Sequence, residues 1–330
     1  LGFQVTDDLY IDAGVRQDNV EAAGRRLDGC CGGNVAVDLN GNGVIDPLLE
    51  SPTGTSAGFI SGGVRVLNES SSAVTNVNYD ADNTSYSFGA SYLLSDSSSV
   101  FARFSSGGRA IGDRLTQISG ALNSDGSLAS TTDGYDTVDQ FEVGYKHQGD
   151  NWAAYATLFD TTVEETNAEI TSGLTFIREY EATGLELEGS AQLGNGFFIS
   201  GNLTWVDAEI ASDLTNPGVV GNTPRRQADV IYTITPEYAY GPFRIGASIV
   251  GSTDYYVQDN NDLKQDAYSL VHLFGSYAIS DSLLLTFNVN NLTDEFVVTE
   301  SEEGSAAAGS FVRARPLSGR SSTVGIRYDF

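Results

Sequence analysis

Leu283-Leu-Leu-Thr-Phe-Asn-Val-Asn290 decides the architecture. Leu283, Leu285, Phe287 and Val289 share one face of an extended chain, and Thr286, Asn288 and Asn290 share the other. This is the two-residue period of a strand with one apolar and one polar side. The period recurs along the chain. Leu185, Leu187, Ala191 and Leu193 oppose Glu186, Glu188, Ser190 and Gln192, and Tyr86, Phe88, Ala90, Tyr92 and Leu94 oppose Ser85, Ser87, Gly89 and Ser91. Phe141, Val143 and Tyr145 oppose Gln140, Glu142 and Lys146; at the end, Val324, Ile326, Tyr328 and Phe330 oppose Gly325, Arg327 and Asp329. Helix signals are scarce.

Alternation alone suits a soluble sandwich with its apolar face inward or a membrane barrel with that face toward lipid. The connections separate the two. Short turns at Thr6–Asp8, Ser95–Ser98, Gln148–Asn151, Gly194–Gly196, Gly241–Pro242 and Ser280–Ser282 alternate with long polar stretches near 20–82, 107–136, 163–175, 210–225, 257–266 and 298–320. A sandwich has no reason to keep its long loops at one end, whereas an outer-membrane barrel has short periplasmic turns and long extracellular loops. The reading is an all-β, antiparallel, up-and-down transmembrane β-barrel. Its strands fall near 9–19, 84–94, 98–106, 137–147, 151–162, 176–193, 197–209, 226–239, 242–256, 267–279, 283–297 and 320–330, with Leu1–Val5 the tail of one more. Trp205, Tyr232, Tyr255, Tyr256, Tyr277 and Tyr328 lie near strand ends, where amphipathic rings suit the headgroup level, although tyrosine and tryptophan favour sheets in any case. Even strand number, and the need to pair every backbone group in lipid, predict at least one strand upstream.

Composition agrees. The chain has 330 residues, with 44 acidic against 17 basic side chains and a net charge of −27. That balance argues against nucleic-acid binding, which needs clustered Lys and Arg. A hydrophobic content of 40% excludes a disordered acidic tail, and 37 Gly beside only 7 Pro exclude collagen and Pro-rich linkers. Methionine is absent, which places the translational start elsewhere. No apolar run reaches transmembrane-helix length and no signal peptide is visible, so a membrane would be crossed by strands.

The second half carries a series of phrases: Phe141-Glu-Val-Gly-Tyr-Lys146, Ala182-Thr-Gly-Leu-Glu-Leu-Glu-Gly189, Gly201-Asn-Leu-Thr-Trp-Val-Asp-Ala-Glu209, Asn222-Thr-Pro-Arg-Arg226, Phe287-Asn-Val-Asn-Asn-Leu-Thr-Asp294 and Gly325-Ile-Arg-Tyr-Asp-Phe330. In order and spacing the series resembles the C-terminal half of a TonB-dependent outer-membrane receptor. The family's "NLxD" phrase usually continues to Tyr; here Phe296 stands nearby. The first 130 residues match mainly by strand pattern, best at Asp7-Asp-Leu-Tyr-Ile-Asp-Ala-Gly-Val-Arg16. The resemblance implies about 12–13 C-terminal strands of a 22-stranded barrel, with a plug domain and early strands lying outside this sequence. It implies no enzyme. It implies energy-coupled import of a scarce large solute (siderophore-iron, cobalamin or oligosaccharide) at the outer membrane of a Gram-negative bacterium. The implied partners are TonB, the lipid bilayer and lipopolysaccharide. Phe330, with Tyr328, Ile326 and Val324 at alternate positions before it, resembles the signal read by the barrel-assembly machinery.

Two further constellations stand in the first long loop. Asp38, Asn40, Asn42 and Asp46, with Gly43 at the sharp turn and the Val44 carbonyl, follow the front of an EF-hand-like calcium loop. Leu49 replaces the bidentate Glu of that pattern, Glu50 falls one residue later, and a Gly/Asn-rich hydrophilic loop reads the same way. Calcium is therefore a candidate loop-ordering ion, not a required cofactor. Cys30 and Cys31 are adjacent disulfide candidates, paired with each other or with a cysteine upstream, with a metal-ligand pair as the other option. His147 and His272 are scattered, and no zinc motif, phosphate loop or catalytic dyad appears. Tyr255 and Tyr256 are candidates for stacking on a ring-bearing solute, or members of the aromatic girdle. Acidic loops predict a negative outer mouth. Two other functions fit the same pattern: a passive porin-like barrel, and a structural or adhesive barrel that binds partners through its loops.

Overall fold

The computed structural model describes residues 1–27, 34–35, 64–65, 74–111, 121–129, 134–169, 174–301 and 314–330. Thirteen strands form one antiparallel sheet: β1 Gly2–Gln4, β2 Leu9–Leu27, β3 Val74–Ser95, β4 Ser98–Ala110, β5 Tyr135–Gln148, β6 Trp152–Glu169, β7 Leu174–Gly194, β8 Phe197–Asp213, β9 Val230–Tyr240, β10 Phe243–Ser252, β11 Tyr268–Ser280, β12 Leu283–Asn290 and β13 Ser321–Tyr328. Each strand pairs with its sequence neighbours, and among the described residues β1 and β13 do not pair with each other. The sheet is a continuous wall of up-and-down barrel. Among the described residues, three short ladders lie outside it, in the connections at one end.

The six short turns fall where the sequence places them, and Leu1–Val5 does supply a strand, through Gly2↔Asp12 and Phe3↔Ile11. At the other end, neighbouring strands are joined by residues 28–73, 111–134, 170–173, 214–229, 253–267 and 291–320. Strands β2 to β8 run further into these connections than the apolar pattern predicts, whereas β9, β10 and β12 begin or end at Val230, Ser252 and Asn290, short of the expected 226, 256 and 297. The β2–β3 ladder continues without interruption to Leu27↔Val74, although the pattern ends near residues 19 and 84. The cause is solvent. Beyond the bilayer the outer face of a strand meets water, so Asn76, Asn78, Asp80 and Asp82 stand where apolar residues stand lower on the same face, while the backbone ladder persists. In the same way the stretch 163–175 contracts to residues 170–173.

The two faces differ chemically as the alternation requires. Val15, Phe88, Leu94, Phe141, Leu158, Ile234, Val324 and Ile326 are exposed on the outer face. A surface this apolar is untenable in water over such an area and suits lipid. The opposite face carries Asp12, Arg103, Glu142, Glu186 and Glu188. Among the described residues no helix is long and apolar enough to cross a membrane.

Candidate functional site: the inner face and its extracellular mouth

Register brings charged groups together on the inner face. Asp12, Gly89, Arg103 and Glu142 lie side by side across β2, β3, β4 and β5. Gly89 leaves the space through which Arg103 Nη2 reaches Asp12, 3.1 Å from each carboxylate oxygen. A Cβ on Gly89 would stand 2.7 Å from Asp12 Oδ1. One residue of smaller size thus lets two strands that are not neighbours share a salt bridge.

Higher on this face a belt of alternating charge follows the mouth. Arg109 Nη2 lies 2.7 Å from Asp136 and 4.0 Å from Glu165. The other oxygen of Asp136 accepts the Thr166 N–H at 2.9 Å. Arg109, Asp136, Glu165, Arg16, Ser85 and Gly107 line a groove of about 580 Å³ that opens inward. Next along the belt, Arg178 donates through Nε to Asp213 and through Nη1 to Asp259, both at 2.6 Å. The side chains of Arg178 and Asp213 are 7% and 0% exposed, so this ion pair is withdrawn from water.

Both carboxylates also hold backbone. Asp213 Oδ1 accepts from the Thr215 and Asn216 N–H groups and from the Thr215 hydroxyl, each at 2.8 Å. Asp259 Oδ1 accepts the Arg225 N–H at 3.0 Å. Burial alone would raise the Asp213 carboxyl; the hydrogen bonds from Arg178, Asn216 and Thr215 outweigh it and hold the group below its ordinary value. Asp213 is the last residue of the 17-residue strand β8, beyond the stretch of about 9–11 residues that spans a bilayer. The knot ties the 214–229 and 253–267 connections to the wall. A second set of contacts ties in the 291–320 connection: Arg226 to Glu300 at 3.0 Å, Arg226 Nη2 to the Ser301 carbonyl at 2.6 Å, and Arg315 to Glu300 at 2.9 Å.

On the other flank an apolar pad covers the inner face. Ile111, Ala121, Leu122 and Leu128 pack on Val20, Ala22, Val77 and Tyr79. Residues 121–129 close against β3 through a hydrogen bond from Asn78 N–H to the Gly126 carbonyl, 2.9 Å. Gly126 has φ 93°, and a Cβ there would stand 2.8 Å from the Asn78 nitrogen. Gly126→Ala is expected to cost about 1–2 kcal/mol in left-handed strain, with the backbone contact in addition. The pad should lift, and chymotrypsin should cut at Leu122 and Leu128 in the substituted full-length protein but not in the native one.

The sequence-predicted residues are placed as follows. Tyr255 is buried, packs with Ala228 and Val257, and donates its hydroxyl to the Thr299 carbonyl at 2.7 Å. Tyr256 lies under the Lys264 ammonium, 4.7 Å from the ring centre. Both belong to the connection after β10. Tyr328 and Phe330 meet edge to face at 5.1 Å, with Tyr328 on the outer face of β13. Cys30, Cys31 and the calcium-loop residues Asp38, Asn40, Asn42, Val44 and Asp46 lie outside the described residues. Among the described residues no group of three His, Cys, Asp or Glu is arranged to hold a metal. The buried knot of Arg178, Asp213 and Asp259 was not singled out from the sequence; its only local signal is Asp213-Leu-Thr-Asn216, an Asx-turn pattern.

Comparison with known proteins follows from this architecture. A family model described as TonB dependent receptor-like, beta-barrel, matches residues 1–292. No curated protein matches the sequence. Among solved structures, the siderophore receptor PiuA from Acinetobacter baumannii is 17% identical with a TM-score of 0.71, over 98% of this chain and 41% of that one. The ferric yersiniabactin uptake receptor FyuA from Yersinia pestis is 17% identical with a TM-score of 0.70, over 100% of this chain and 44% of that one. The ferripyoverdine receptor of Pseudomonas aeruginosa is 17% identical with a TM-score of 0.64, over 100% and 37%. The chain spans less than half the length of these structures, and at such identity the likeness shows the fold.

Proposed function

The chain belongs to the TonB-dependent receptor-like β-barrel family, and on that premise we propose that it forms the C-terminal wall of an outer-membrane importer that draws energy from the inner membrane through TonB. The family is one of transport receptors and not of enzymes. The observation that carries the reading is the open thirteen-stranded wall. Its outer face suits lipid, and among the described residues its edge strands β1 and β13 have a partner on one side each, an arrangement the bilayer does not tolerate. Further strands of the same receptor would pair them, and a plug would meet the charged inner face. The solute we favour is a chelated ferric ion, because three matched structures are receptors for such complexes. Cobalamin and oligosaccharides are the other members of the class. The inward groove between Arg16 and Arg109 lies on the path such a solute would take.

The test is uptake in the native host. Deleting the whole gene should abolish import of one radiolabelled ferric siderophore from a panel that also contains cobalamin and oligosaccharides. Collapsing the proton gradient should do the same in the intact strain. Import that persists without the gradient, with steady conductance of the purified full-length protein in a bilayer, would instead establish the passive-porin alternative.

A further inference from the structure

We propose that the turn between β5 and β6 holds the phosphate of a phospholipid headgroup from the periplasmic leaflet, between the ring nitrogens of His147 and Trp152. The inference rests on the barrel reading, which puts the short turns at the periplasmic side.

The two rings stack at 4.1 Å between centres with 25° between planes. Both lie on the lipid-facing side: His147 follows Phe141, Val143 and Tyr145 at alternate positions, and Trp152 precedes Ala154 and Ala156. Trp152 is 50% exposed. Tyr145 donates to Ser98 Oγ at 3.2 Å, and Ser98 Oγ shares a hydrogen bond of 2.9 Å with His147 Nδ1. With the Ser98 hydroxyl donating to Nδ1, the ring proton sits on Nε2. Trp152 Nε1 is a donor by nature. Neither ring N–H has a protein partner among the described residues.

Gly149 opens the space between them. A Cβ on Gly149 would stand 3.1 Å from His147 Nε2 and 3.7 Å from Trp152 Nε1. The backbone does not call for glycine here, since Gly149 is not among the residues with positive φ. Its missing side chain leaves a notch on which two donors converge, at the rim where headgroups lie. An anionic oxygen there would accept from both rings. The adjoining Asp150 is exposed and in the same turn. A carboxylate beside the notch disfavours a bare anion and suits a headgroup that carries an ammonium next to its phosphate, as phosphatidylethanolamine does.

The experiment uses the full-length receptor in detergent doped with phosphatidylethanolamine, with bound lipid counted by native mass spectrometry. His147→Phe and Trp152→Phe keep an aromatic ring and remove one donor each. Each should weaken retention of one lipid by about tenfold, the worth of a hydrogen bond to a charged oxygen. Gly149→Ala, which fills the notch, should do the same. Heat-modifiable migration on gels checks that every variant is a folded barrel. Retention equal to the native protein in folded variants would overturn the site, as would displacement of the lipid by millimolar inorganic phosphate, which would make it a free-anion site. Failure of the native chain to insert as a barrel would strike the receptor reading itself, and it is read separately from the same gels.

Discussion

Replacing Arg178 with methionine is expected to open the extracellular rim while the wall below it stays folded. Methionine fills similar space but leaves the carboxylates of Asp213 and Asp259 buried without the cation that both contact at 2.6 Å. Removing one partner of a buried ion pair costs about 3–5 kcal/mol, because the remaining charge has lost its water and its counter-ion. The cost falls on the 214–229 and 253–267 connections, which the two carboxylates hold by backbone hydrogen bonds. If opening and closing are fast relative to cleavage, protease cutting there should rise by about a hundredfold or more. Adding Asp213→Asn and Asp259→Asn to Arg178→Met should recover much of the protection, since neither position then carries a buried carboxylate without the Arg178 cation. A single variant as resistant as the native full-length receptor would show that the knot does not fasten the rim.

The same knot sets an acid response with a definite sign. The Asp213 carboxyl is held below its ordinary value of 3.8, so it contributes stability that is fully present above that value. The contribution disappears only as pH falls through the lower, folded-state value. Pepsin digestion between about pH 2 and 5 should therefore find the two connections protected well below pH 4, with cleavage rising at the acidic end. Arg178→Met should remove that step. Loss of protection in the native protein already at pH 5 would mean that a different group governs the rim.

The wall was legible in the sequence because the bilayer enforces it. Where one face meets lipid, every second residue must be apolar, and Leu283–Asn290 or Tyr86–Leu94 can be read at sight. Above the bilayer that pressure ends, and in the outer parts of β2 and β3 the outer face turns polar while Val20, Ala22, Val77 and Tyr79 put the apolar side inward, under the pad. The knot was hidden for a different reason. Arg178, Asp213, Arg225 and Asp259 are far apart in the chain, and a β-bulge unites the first two. The β7–β8 register shifts between Ile210 and Ser212, which puts Asp213 opposite Arg178. Without the extra residue Ser212 would face Arg178, and the Asp213 side chain would turn to the other face. No periodicity reports a one-residue slip. Tyr255 shows another limit: an aromatic pair after a strand reads as a stacking candidate or a girdle member, and no pattern reports that its hydroxyl and ring hold the 253–267 connection against Thr299 and Ala228.

The turn between β7 and β8 should discriminate sharply between two glycines that look equivalent. Gly194 and Gly196 have φ of 83° and 87°, both in the left-handed region. An alanine at either position costs about 1–2 kcal/mol for that conformation alone. At Gly194 nothing lies within 4 Å of an added Cβ, so the strain is the whole effect. At Gly196 the Cβ would run into the Ala239 carbonyl oxygen, a backbone atom of the next hairpin. The turn cannot step aside freely, because the Ala239 N–H donates to the Gly196 carbonyl at 2.9 Å. The clash should add about 1–3 kcal/mol, and it falls on the β8–β9 junction. Urea titration of the full-length receptor in detergent, followed by heat-modifiable migration, should show a small shift of the midpoint for Gly194→Ala. For Gly196→Ala the shift should be at least twice as large, with less folded barrel recovered from the outer membrane. Equal shifts would show that backbone strain alone accounts for both glycines, and that β9 yields at its periplasmic end.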